Sequence, residues 1–135
     1  MTAGYSGTPL AKKLGIKPDS TLTVLNDPGH FDEIVHPIPG DVARRTTLRG
    51  PSDLVVFFTK ERSKLERRID AIGRTIFPDG AVWVCWPKRA SKVPTDMTED
   101  VVRDIVLPLS LVDIKVAAID ETWSGLKVVW RKERR

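Results

Sequence analysis

Short apolar runs alternate with longer helical patterns along this chain. Three runs are rich in β-branched, aliphatic and aromatic residues without polar alternation, which is typical of parallel strands covered on both faces. They occupy residues 21–26, 53–58 and 81–86. We therefore predict three central strands.

Two stretches follow a helical period. After Thr59, a predicted N-cap, apolar residues recur at spacings of four, three and four residues. These residues are Leu65, Ile69, Ile72 and Ile76. The second stretch spans 97–109, where Asp96 and Glu99 have the spacing of a capping box and Pro108 lies near the end.

Weaker patterns complete the prediction. A short helix is predicted over 8–15, with an N-cap candidate in the segment that starts at Ser6, Pro9 at the first helical position and a stop at Gly15. A helical turn is predicted over 31–35, and alternation over 41–48 indicates a further strand.

The chain ends in a predicted β-hairpin. Residues 112–120 and 126–131 form its strands, and Gly125 in the connection 121–125 is expected to give the tight return. The order of elements predicts an α/β fold: a three-layer, Rossmann-like arrangement whose mostly parallel sheet ends in this antiparallel hairpin. We expect one domain over 1–135, with 1–20 as an N-terminal helical extension and 131–135 as a basic tail.

Composition narrows the class of protein. With 135 residues, 41% hydrophobic and 30% charged, the chain is typical of a soluble domain that needs no disulfide or metal. The apolar runs are too short to span a bilayer, and no signal peptide is recognisable, so we expect a cytoplasmic protein without a membrane partner. The single cysteine, Cys85, lies in a strand pattern and is interpreted as a core residue.

Positive charge is concentrated in the middle of the chain. Residues 41–92 contain 12 Lys and Arg against 6 Asp and Glu, whereas both flanks carry slightly more acidic than basic residues. This middle segment and the basic tail could attract an anionic small molecule or a nucleic-acid backbone. The alternative is a solvated helix face.

The topology resembles a shortened class I methyltransferase-like Rossmann domain from residue 21 onward. The resemblance implies an S-adenosylmethionine site with a glycine-rich turn after the first strand and an acidic residue closing the second. Here the turn is 26–30, with one glycine and Pro28, and the second predicted strand runs into Thr46–Arg49. We therefore expect no cofactor, and a S-adenosylmethionine-dependent or other small-molecule enzyme stays an alternative.

Six segments spread over nearly the whole chain carry a resemblance at the level of sequence: 4–10, 12–16, 86–88, 95–96, 98–99 and 120–126. In these segments the chain resembles an uncharacterised bacterial family, a domain of unknown function found mainly in actinobacteria. The resemblance implies a bacterial cytoplasmic protein and supplies no activity.

Ligands of open α/β sheets bind outside the carboxyl ends of the strands, where strand order reverses. Lys88 and Lys92, beside the predicted N-terminus of helix 97–109, favour a phosphate or carboxylate. The alternative is that Thr95 and Asp96 are caps, that the lysines are solvated and that Trp123 packs over the sheet. The predicted ligand-binding residues are Asn26, Asp27, Lys60, Trp86, Lys88, Lys92, Thr95, Asp96 and Trp123.

No catalytic motif is recognisable. His30 and His36 have no partner at metal-ligand spacing, so no metal site is expected, and the serines lack the context of a nucleophile elbow. We rank a small ligand-binding or regulatory domain first and a protein that binds nucleic-acid backbone second. An enzyme is the third alternative, and oligomeric state is left open.

Overall fold

The computed structural model describes residues 8–135. The predicted cap residue Ser6 and the start of the segment 4–10 lie outside this range. The α-helices are α1 (Leu10–Leu14), α2 (Phe31–Val35), α3 (Arg62–Ile76) and α4 (Glu99–Val106). The strands are β1 (Thr21–Leu25), β2 (Ala43–Arg45), β3 (Leu54–Phe58), β4 (Ala81–Pro87), β5 (Leu111–Ala118) and β6 (Trp123–Trp130).

The six strands form one sheet in the order β2-β1-β3-β4-β6-β5. Strands β2, β1, β3 and β4 are parallel, whereas β6 pairs antiparallel with both β4 and β5. The predicted fold class is thereby confirmed: an α/β, mostly parallel sheet that ends in an antiparallel hairpin.

Helices cover both faces of the sheet because its central strands are apolar on both sides. The side chains of β3 and β4 are buried along their whole lengths. On one face, these strands pack against the apolar stripes of α3 and α4. On the other, they pack against α1 and α2, and the Trp83 indole N–H donates a 2.9 Å hydrogen bond to the carbonyl oxygen of Leu14.

The predicted helix caps were assigned to the wrong residues. Thr59 does not cap α3; its hydroxyl bonds the backbone of Glu61. The carboxylate of Asp96 instead accepts a 2.7 Å hydrogen bond from the backbone N–H of Arg62, in the first turn of α3. Helix α4 begins two residues later than predicted, because Thr98 is its N-cap and accepts from the N–H of Val101.

The hairpin prediction needs one correction. Gly125 lies inside β6, opposite Cys85 and Ala117, rather than in the turn. A Cβ at this position would come within 3.0 Å of the Trp83 ring, so close packing explains the glycine. Asp120 makes the turn instead, as described below.

Two elements near the N-terminus are shorter than predicted. Helix α1 begins at Leu10, with Pro9 as N-cap rather than as the first helical residue, and ends at Gly15 in the left-handed conformation (φ +86°). Strand β2 is only three residues long, much shorter than the predicted 41–48.

Candidate functional site

A cleft of about 350 Å³ opens at the carboxyl ends of β1 and β3. Strand order reverses here, because the chain leaves β1 towards β2 on one side and returns to β3 on the other. Such reversals leave a crevice between the diverging connections. The described residues that line it are Asn26, Pro28, Phe58, Thr59, Lys60, Glu61, Lys64 and Trp123.

Aromatic side chains supply the apolar part of the lining. Phe58, the last residue of β3, and Trp123, the first of β6, meet edge to face with ring centroids 5.1 Å apart. Phe31 of α2 contacts the other side of Phe58 at 5.8 Å. Each ring is at least 93% buried, so the aromatic wall is held rigidly by the core.

The loop after β1 is fixed by its own hydrogen bonds. The Asp27 carboxylate accepts from the backbone N–H of Gly29 at 2.8 Å and of Phe31 at 3.3 Å, which turns the chain into α2. Arg44 pairs with the same carboxylate at 3.4 Å. Asn26 adopts the left-handed conformation (φ +56°), which asparagine tolerates better than most residues. This loop therefore presents Asn26 and Pro28 to the cleft.

Residues 60–64 contribute two lysines and one carboxylate to the cleft lining. Lys60 and Lys64 line the cleft, and the ammonium group of Lys64 lies 3.0 Å from the Glu61 carboxylate. The loop before α4 holds this segment in place, because the Thr95 hydroxyl donates a 2.7 Å hydrogen bond to the carbonyl oxygen of Lys60. The Asp96 contact to the first turn of α3 adds to it. These hydrogen bonds therefore fix the backbone at the start of α3, next to the two lysines.

Asp120 connects the two loops beside the cleft. One carboxylate oxygen bonds Nε2 of His30, and the other accepts from the backbone N–H groups of Thr122 and Trp123 at 2.8 and 2.7 Å. Burial alone raises the pKa of Asp120, but the hydrogen bonds from His30 and from the two backbone groups outweigh it and place the pKa below its ordinary value. The hairpin turn is thereby tied to the start of α2.

A second hollow of about 310 Å³ adjoins the cleft. Its described lining consists of Asn26, Lys64, Arg67 and Arg68, of which the first two also line the cleft. Within residues 8–135, neither arginine makes an ion pair, although Arg62 on the same helix pairs with Glu66 at 3.2 Å. The cleft therefore adjoins a hollow that contains two arginines without carboxylate partners among the described residues.

The structure separates the predicted ligand-binding residues into three groups. Asn26, Lys60 and Trp123 meet at the cleft. Asp27, Thr95 and Asp96 use their side-chain oxygens to hold loops. Three others are elsewhere, with Trp86 in the core beneath α3 and α4, and Lys88 and Lys92 flanking a 3-10 turn outside the cleft lining. A ligand-binding role for any of them stays a prediction.

Sequence reasoning missed several residues of this site. Lys64, Arg67 and Arg68 were counted only within the basic segment 41–92, although their spacing puts them on one side of α3. Their spacing in the sequence was therefore enough to place them together. No pattern in the sequence indicates the pairing of His30 with Asp120, which lie 90 residues apart.

The structure holds no candidate metal centre among residues 8–135, since no three His, Cys, Asp or Glu side chains cluster there. Within the same range, no helix is long and apolar enough to cross a membrane.

No protein-family model and no curated protein matches the sequence. The fold, however, is similar to solved methyltransferase structures. A SAM-dependent methyltransferase from Aquifex aeolicus has a TM-score of 0.57 and 13% identity, over 87% of this chain and 85% of that one. A putative type 11 methyltransferase from Sulfolobus solfataricus has a TM-score of 0.59 and 12% identity, over 84% and 85%. A ribosomal protein L11 methylase from Lactobacillus delbrueckii subsp. bulgaricus has a TM-score of 0.55 and 14% identity, over 90% and 75%. At such identities the likeness concerns the fold alone.

Proposed function

We propose that this protein binds a small anionic molecule in the cleft at the carboxyl ends of β1 and β3. The observation that carries the proposal is the lining itself: the edges of Phe58 and Trp123 share one cleft with Lys60 and Lys64, and Glu61 offsets only one of the two lysine charges. An apolar surface with a few convergent polar groups is the usual composition of a ligand site. The two lysines select for negative charge on the ligand.

The cleft is a better candidate than the anion site predicted before α4. That site required Thr95 and Asp96 to be free for a ligand, yet both bond the start of α3. Lys92 is exposed and lies outside the cleft. Lysines next to a concave aromatic surface can combine charge with apolar contact, whereas a solvated lysine offers charge alone.

The test is a thermal-shift screen of phosphorylated and carboxylated metabolites, followed by calorimetry on each compound that raises the melting temperature. A ligand that binds the folded state stabilises it by mass action. We expect K60A/K64A to weaken binding of such a compound at least about tenfold, since two charged contacts at about 1 kcal/mol each are lost.

The matched control is K88A/K92A. It removes the same two charges from the other predicted anion site, so any general effect of net charge is equal in both variants. Unchanged affinity in K60A/K64A with a loss in K88A/K92A would return the site to the loop before α4. Affinity for RNA homopolymers that rises with length and falls steeply with salt would favour nucleic-acid binding instead.

A second candidate is an S-adenosylmethionine-dependent enzyme, and the similarity of the fold to solved methyltransferases favours it. Two features of the cleft oppose it. The turn after β1 contains Pro28 and one glycine, so the backbone offers fewer N–H groups for close approach to a cofactor. Strand β2 ends at Arg45, with no carboxylate to hold a ribose.

Calorimetry with S-adenosylmethionine and S-adenosylhomocysteine separates the two candidates. Binding of S-adenosylhomocysteine that is lost in N26A, with no response to simple anions, would make methyl transfer the better account. The anion proposal expects the reverse: no heat with either sulfur compound and a response to anions that depends on Lys60 and Lys64.

We also propose that the protein is bacterial and cytoplasmic, because segments such as 120–126 resemble an uncharacterised actinobacterial family. A regulatory domain that senses a metabolite is compatible with both the cleft and this setting. Fractionation of the native host, with the protein detected by antibody, tests the location.

A further inference from the structure

We infer that the ligand is a nucleotide with more than one phosphate, whose base lies in the cleft and whose outer phosphates lie in the adjoining hollow. The inference rests on the proposed function and adds a chemical class to it. It starts from two neighbouring cavities, of about 350 and 310 Å³, which share Asn26 and Lys64 in their linings.

The two cavities differ in chemistry. The cleft is lined by the small exposed edges of Phe58 and Trp123 and by the exposed Pro28, an apolar strip that suits one side of a flat group such as a nucleobase. The hollow has no aromatic residue in its described lining and instead contains Arg67 and Arg68. A ligand that fills both therefore needs a planar apolar end and a strongly anionic end.

The spacing of the basic residues suits an anionic chain that runs along α3. Lys64, Arg67 and Arg68 lie at i, i+3 and i+4 on α3, so they occupy one side of the helix. From Lys64 to Arg68 the helix rises about 6 Å, so the three side chains start along about one helical turn. Successive phosphates can each meet a different cation along this line.

The charges in the hollow are available to a ligand. Arg62 and Lys64 have carboxylate partners on α3, at 3.2 and 3.0 Å, but Arg67 and Arg68 have none among residues 8–135. Guanidinium groups bind phosphate oxygens in a bidentate manner. Asn26 lies between the cavities, exposed, with a side-chain amide that can both donate and accept a hydrogen bond there.

The experiment is calorimetry of the full chain, in EDTA, with the four ribonucleosides, their 5′-monophosphates and triphosphates, and inorganic triphosphate. We expect at least one triphosphate to bind about tenfold or more tightly than its monophosphate. R67A/R68A should weaken that triphosphate at least about tenfold and change the monophosphate by less than about threefold. These ratios follow from loss of charge-assisted contacts to the outer phosphates only.

The control variant is R89A/R134A, which removes two exposed arginines outside both cavities and leaves the net charge equal to that of R67A/R68A. It should change neither affinity by more than about twofold. Circular dichroism of each variant shows whether the fold is intact. If R67A/R68A does not fold, R67K/R68K replaces it, because this variant keeps both charges and removes only the guanidinium groups.

Four results would overturn the inference and leave the proposed function standing. One is equal affinity for monophosphate and triphosphate, another is equal loss of both in R67A/R68A, and the third is inorganic triphosphate binding as tightly as any nucleotide. No binding of any nucleotide, with some other anion bound through Lys60 and Lys64, also overturns it. If the proposed function itself is wrong, the result is different: K60A/K64A then binds every ligand as tightly as the wild type does.

Discussion

Asp120 gives the sharpest prediction, because its two carboxylate oxygens have separate partners. One oxygen holds the hairpin turn through the N–H groups of Thr122 and Trp123, and the other holds His30. In Asp120→Asn the amide oxygen can still accept both backbone hydrogen bonds, but an NH2 group replaces the carboxylate oxygen that bonds His30. In Asp120→Ala every contact is lost.

The magnitudes follow from this division. A hydrogen bond in a partly buried position contributes about 1 kcal/mol to the free energy of unfolding. We therefore expect D120A to lose about 3 kcal/mol, and D120N and H30A to lose about 1 kcal/mol each. The double variant H30A/D120N should lose little more than either single variant, since both remove the same pair.

Urea unfolding followed by tryptophan fluorescence measures these differences, and melting temperatures provide a second readout. For a chain of this length, 1 kcal/mol corresponds to about 3–4 °C, so D120A should melt about 10 °C below the wild type. D120N with the same loss as D120A would refute the division between the two oxygens. Additive losses in H30A/D120N would refute the pairing with His30.

The pH dependence has a definite sign. The pKa of Asp120 is lowered in the folded protein, so its carboxylate form is favoured by folding. The resulting stabilisation is complete above the ordinary aspartate pKa of about 3.9 and is lost as the pH falls through the lower pKa of the folded state. The stability difference between wild type and D120N should therefore shrink in that acid range. A difference that grows there would contradict the pKa shift.

Two further predictions test the packing around the site. Gly80→Ala should destabilise the fold by about 2–3 kcal/mol, because its Cβ would lie 2.8 Å from the backbone oxygens of Ile76 and Ser52. Gly40→Ala, where nothing lies within 4 Å, is the control and should change stability by less than about 0.5 kcal/mol in urea unfolding. Burial raises the pKa of the Cys85 thiol, so iodoacetamide should label the native protein only as fast as it unfolds, and rapid labelling without denaturant would contradict its burial.

The sequence alone predicted most of the sheet and its helices. The strands β1, β3 and β4 and the helix α3 fell close to their predicted positions, because apolar runs and helical spacing are local signals. The caps failed for the opposite reason. A side chain such as Asp96 can satisfy the free N–H groups of any helix that packs beside it, and only the folded chain shows that this helix is α3.

For the site, too, some features could be predicted from the sequence and others could not. From the sequence, the carboxyl ends of the strands indicated the sheet edge, and three of the predicted residues, Asn26, Lys60 and Trp123, line the cleft at this edge, while their role in binding stays a prediction. The structure alone showed that Lys88 and Lys92 stand apart from the cleft lining and that the hollow beside Arg67 and Arg68 adjoins the cleft.

What the sequence determined is therefore the architecture, because hydrophobic periodicity within a segment fixes which elements form and which faces they bury. What only the tertiary structure decided is the partner of each polar side chain. Asp120 meets His30, and Asp96 meets Arg62, across separations of 90 and 34 residues. Such contacts depend on how loops from different strands meet at one edge of the sheet, and no local pattern in the chain records that meeting.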